Sequence, residues 1–134
     1  MTDDEKKRFR SLTDKYGLQA SDFWKSPQGF VIISRRGIEK IQSGMNAEIT
    51  YEVVSEFSSP QDAKYVIKAI GKARSGKDYR RIETYGESSP KNTRGGAQAY
   101  PVAMAEKRAL SRCILKLSDF YSLEGVYGED EINE

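Results

Sequence analysis

The sequence predicts an α+β fold: an antiparallel three- to four-stranded β-meander packed against a long C-terminal helix, with further helices at the N-terminus. Three observations carry this. Residues 47–57, 64–73 and 79–85 are β-rich runs with a period of two, separated by turn chemistry. Residues 100–117 form the one long run with a helical period and no internal breaker. Residues 3–16 and 34–44 carry shorter helical patterns with plausible ends.

Taken in order, residues 3–16 place acids first and bases after, as the helix dipole prefers, and Phe9, Leu12 and Tyr16 share a face before Gly17. Ser21 is expected to cap a short turn, and Trp24 to anchor a core or an interface. Gly29–Ile33 reads as a strand, and Ser34 as the cap of a helix with Ile38 and Ile41 facing inward. Residues 47–57 alternate Ile49, Tyr51 and Val53 against Thr50, Glu52 and Val54. Residues 58–62 are a turn, residues 74–78 a hairpin loop and residues 86–98 a long mobile loop with three glycines and a proline. In the final helix Pro101 suits the first position. Ala103, Leu110, Ile114 and Leu117 form one face with Cys113 beside it, while Arg108, Arg112 and Lys116 recur every four residues and are expected to point outward.

The chain has 134 residues, enough for one domain with a modest core. Charged residues make up 31% of it, no apolar run of membrane-spanning length occurs, and the first residues hold no apolar signal segment. A cytoplasmic protein is therefore expected, consistent with one cysteine. Histidine is absent, which removes a Ser/His/Asp triad and, with a lone cysteine, a zinc site. No cofactor or metal is expected, and no enzymatic reaction. Net charge is +2, but residues 119–134 carry −6 and no base, which leaves +8 on residues 1–118. A basic body beside an acidic tail recurs among nucleic-acid binders, and equally describes a merely solubilising end.

Gly71 to Lys77 fits the Gly-x4-Gly-Lys skeleton of a phosphate loop, but Asp78 replaces the Ser or Thr that holds magnesium, and a strand pattern follows where a helix is required. Asp78, Glu83 and Glu87 lack the spacing of a metal nuclease. The same segment is more informative as charge: Lys72, Arg74, Lys77, Arg80 and Arg81 fall within ten residues, opposed by Asp78 alone and interleaved with Tyr79 and Tyr85. Cations that follow a phosphate backbone, beside aromatics that stack on bases, suit single-stranded nucleic acid. A solvated hairpin is the plain alternative. Lys91 and Arg94 in the loop, with Lys107, Arg108 and Arg112 on the helix, extend the charge, and being consecutive these elements are expected to converge on one groove.

Gly86-Glu87 at the end of the meander, Ala103-Met-Ala-Glu-Lys-Arg-Ala-Leu110 on the helix and Gly128-Glu-Asp-Glu131 at the exit, in this element order, resemble the single-strand annealing proteins of recombination. These are the phage Erf and Sak types and their eukaryotic radiation-repair relative. The resemblance implies a curved antiparallel sheet on a helix, and a homo-oligomeric ring or filament that holds single-stranded DNA in a basic groove with bases outward. It assigns Lys107 and Arg108 to that groove. On this expectation residues 1–134 are one domain: an N-terminal helical segment (1–27), an annealing-type core (28–118) and an acidic tail (119–134) that packs first through Phe120, Tyr121, Leu123, Val126 and Tyr127. The tail would be the docking point for a separate single-strand binding protein, or would compete with DNA for the basic surface. Rivals are a protective binder without annealing activity and a small structural or interaction protein of a phage.

Overall fold

The structure is a computed structural model that describes residues 1–59, 62–75 and 77–132. Pro60 and Gln61 of the expected turn, Gly76 of the expected hairpin loop, and residues 133–134 lie outside the described residues. The fold is α+β. Helix α1 spans Asp3–Tyr16. Thr2 opens it with a capping box, in which its hydroxyl accepts the Glu5 N–H while the Glu5 carboxylate accepts the Thr2 N–H, each at 3.2 Å. Gly17 closes it at φ +68°. Strands β1 (Phe23–Lys25) and β2 (Val31–Ile33) precede α2 (Arg35–Met45), whose N-terminus is capped by the Ser34 hydroxyl accepting the Gly37 N–H at 3.0 Å. Then come β3 (Glu48–Phe57), β4 (Lys64–Ser75), β5 (Asp78–Ser88), α3 (Pro101–Leu117) and β6 (Val126–Gly128).

β3, β4 and β5 form the expected antiparallel meander, with register pairs Tyr51–Ala69–Thr84 and Ile49–Gly71–Ile82 across it. The β4–β5 ladder runs to Ser75–Asp78, so the connection is shorter than the sequence pattern suggests. α3 lies over β4 and β5. Close approach is possible because small residues meet there. A Cβ on Gly86 would stand 2.0 Å from the Ala105 carbonyl oxygen, and one on Gly71 would stand 2.3 Å from Cys113 Sγ. Ala69, Ala109, Cys113 and Leu117 form this inner seam.

The other side of α3 packs on a second core of Ile33, Ile38, Ile41, Ile114, Leu115, Phe120, Leu123 and Val126, lined by Phe9, Leu12 and Tyr16 of α1. α3 is thus the shared wall of two layers, and its final turns are buried nearly all round. The expected division into an apolar and an outward cationic face therefore fails at Arg108, which is 4% exposed.

Other expectations fare differently. A short 3-10 turn forms at Ala20–Asp22 and leads into β1, but Ser21 lies inside it and Gln19, not Ser21, is its cap. The segment read as a mobile loop begins as strand through Ser88 and ends in a 3-10 turn at Gly95–Ala99. Residues 119–132 pack through Phe120, Leu123 and Val126, as their apolar residues suggest, and are not a merely solubilising end. β6 pairs parallel with β2, Val31 to Val126 through Ile33 to Gly128, and completes a small sheet ordered β1-β2-β6. Phe120, Leu123, Val126 and Asp130 are buried. Trp24 is not a core anchor: it stands 42% exposed on the outer face of this sheet.

Candidate nucleic-acid interface

A ladder of side-chain donors orients α3 on β5. Ser88 donates to the Pro101 carbonyl, Thr84 to the Ala109 carbonyl and Arg80 to the Leu117 carbonyl, each at 2.7 Å. The donors are four residues apart on the strand and the acceptors eight apart on the helix, so the two run antiparallel. The hairpin between β4 and β5 therefore lies at the C-terminus of α3, and the loop bearing Lys91 and Arg94 at its N-terminus. At about 1.5 Å per residue the two ends stand roughly 25 Å apart. The cations do not line one groove beside the helix.

Three of the ten expected binding residues are committed to the fold, and a fourth, Arg81, sits in a surface ion pair. The Arg108 guanidinium donates to the carbonyls of Asp130 (3.0 Å), Glu87 (2.9 Å) and Asn92 (2.6 Å), and to Asn92 Oδ1 and Thr93 Oγ1. Burial pulls its pKa down, as does neighbouring Arg112, while Asp130 and Glu87 oppose this. Arg80 caps the end of α3 and pairs with Asp119 at 3.0 Å. Arg112 donates to the Tyr85 carbonyl at 2.6 Å and pairs with Glu131 at 3.2 Å. Arg81 pairs with Glu83 at 2.7 Å. Lys68 also bridges Glu83 and Glu52, and this double contact holds the Glu83 carboxyl at about 2, with the Lys68 hydrogen bond the first cause and the Arg81 one the second.

Lys72, Arg74, Lys77, Lys91, Arg94 and Lys107 make no ion pair among the described residues. All but the half-buried Lys107 are exposed. Arg94 lines a small cleft with Glu129 and Asp130, so that end of the molecule mixes signs. The hairpin end also mixes signs, with Glu48, Asp78 and Asp119 along its clefts, but it gathers more cations. Arg74 is the register partner of Tyr79, and Lys72 that of Arg81. Lys72, Arg74 and Tyr79 line one cleft of about 400 Å³ with Asn46, Glu48 and Ala73. An adjoining cleft of about 350 Å³ shares Asn46, Ala73 and Arg74 and adds Lys15 from the last turn of α1. Lys15 and Asn46 carry no signal in the sequence, because only the packing of α1 and α2 brings them to the hairpin.

No protein-family model matches this chain, and no curated protein matches it. The geometry of the hairpin end therefore carries the functional argument by itself.

Proposed function

We propose that the chain binds single-stranded nucleic acid, single-stranded DNA in the first instance, and promotes annealing of complementary strands without a chemical step or a cofactor. The observation that carries this is the hairpin end. Lys72, Arg74 and Lys77 are exposed and without ion pairs among the described residues, and Tyr79, 55% exposed, stands beside Arg74. Cations supply a sequence-independent grip on phosphates, and a half-free aromatic ring supplies a face on which any base can stack. Lys15 and Asn46 extend the surface toward α1 and α2.

Gel shifts with single-stranded DNA, duplex DNA and RNA across a salt series test the reading. Single strands should bind best and weaken with salt. Lys72→Glu with Arg74→Glu should lower affinity at least tenfold and flatten the log–log salt slope by about 1.4, for two lost phosphate contacts at roughly 0.7 each. Unchanged affinity and slope in that double variant would overturn the assignment. Two complementary oligonucleotides then separate annealing from protection: strand pairing no faster than in buffer would leave a binder alone.

A further inference from the structure

α3 lies over β4 and β5 and reaches β3 chiefly at Ile49. Tyr51, Val53, Val54 and Phe57 are 38, 59, 53 and 55% exposed, and among the described residues nothing hydrogen-bonds to the outer edge of β3. Folded proteins ordinarily blunt long free edges, and β3 is blunted only in part, by Glu48, Glu52, Glu56 and the bulge between Val53 and Ser55. The opposite edge of the same sheet is blunted here. On β5, Arg112 occupies the Tyr85 carbonyl, and Arg108 and Asn92 occupy the Glu87 carbonyl. Only the hairpin half of β5 keeps an unused edge. Between identical copies, an edge free along its whole length beside one that is half sealed favours like edge against like edge, which is a two-fold arrangement.

We propose that β3 pairs antiparallel with β3 of a second copy about a two-fold axis at Tyr51, joining two meanders into one six-stranded sheet. The glutamates set the register. A centre at Thr50 would oppose Glu48 to Glu52 of the second copy, and a centre at Glu52 would oppose that residue to itself; like charges directly opposite destabilise a ladder. Centred at Tyr51, the pairs are Tyr51 with Tyr51, Ile49 with Val53, Thr50 with Glu52 and Glu48 with Val54. Aromatic and β-branched pairs of this kind stabilise neighbouring strands. The bulge between Val53 and Ser55 ends regular pairing beyond that point. Ile49, Tyr51 and Val53 pair with Gly71, Ala69 and Ile67, the α3 side of the sheet; Ile49 packs under α3, and the contact covers the exposed Tyr51 and Val53 beyond it. The pairing does not depend on whether the chain binds a nucleic-acid strand.

Light scattering on the intact chain tests it, together with two variants. The wild type should weigh twice its 15.2 kDa monomer. Val53→Lys places a charge at an already exposed position and should return the mass to the monomer, with thermal melting as the check on folding. Tyr51→Cys should give a covalent dimer with a short bis-maleimide, whereas Tyr85→Cys, exposed on β5, should not. A monomeric wild type, a mass that Val53→Lys leaves unchanged, or equal cross-linking at positions 51 and 85 would overturn the pairing. Should Val53→Lys fail to fold, the cysteine pair decides. Single-strand binding, measured in parallel, responds to Lys72 and Arg74, so loss of one property without the other identifies which proposal fails.

Discussion

Arg108 shows how much a single side chain can hold. It joins the end of β5, the turn after it and the 3-10 turn after β6 by donating to the Glu87, Asn92 and Asp130 carbonyls. Buried acceptors left without a donor cost more than the bond they lose. Arg108→Met should therefore destabilise the fold by about 3 kcal/mol, read from urea midpoints, while changing nothing at the hairpin end. Glu83 makes a different prediction. Its carboxyl stands at about 2 instead of the ordinary 4.5, held first by Lys68 and then by Arg81. A depressed carboxylate stabilises the folded state above the unfolded value, and that contribution is lost as pH falls from about 4.5 through about 2. Thermal melts across that window should fall less steeply for Glu83→Gln than for the wild type.

Among the elements, the α3–sheet contact is the least forgiving. The Gly86 position faces helix backbone, which cannot move aside as a flexible side chain would. Gly86→Ala should push α3 off the sheet and cost roughly 3 kcal/mol or more, seen as a drop in melting temperature of 10 °C or beyond. The segment after β6 matters almost as much. Arg35 pairs with Asp130 at 2.8 Å, Arg112 with Glu131 at 3.2 Å, and Tyr121 donates its hydroxyl to Glu131. Removing residues 128–134 should lower the melting temperature; if the segment competes with DNA for the basic surface, the same deletion should also tighten binding in a gel shift.

The helices and long strands are legible because each carries its own period and end signals: Gly17 for α1, Ser34 for α2, Pro101 for α3. β1 and β6 are not. Three-residue strands have no period of their own, and β6 becomes a strand only because β2 lies beside it. Arg108 was misread for a related reason. Spacing puts it on a face of α3, but the carbonyls that bury it come from β5, its following turn and the chain beyond β6, none of which the helical period encodes.

At the scale of the molecule, the antiparallel setting of α3 on β5 divides the cations into two ends about 25 Å apart. The hairpin end holds more cations, Lys15, Lys72, Arg74 and Arg80 against Glu48, Asp78 and Asp119, whereas Arg94 at the other end stands beside Glu129 and Asp130. Charge reversal at Lys91 and Arg94 should therefore weaken single-strand binding by less than reversal at Lys72 and Arg74, compared by gel shift at one salt concentration.

The parallel pairing of β2 with β6 also has a consequence in time. Val31 meets Val126 across most of the chain, whereas β3, β4, β5 and α3 meet sequence neighbours. Local contacts close quickly and distant ones late. As the chain leaves the ribosome, the meander and α3 can assemble while β2 still waits for a strand that has not been synthesised. Until residues 126–128 emerge, Ile33, Ile114 and Leu115 have no lid, and that is the interval in which a nascent chain would most need a chaperone.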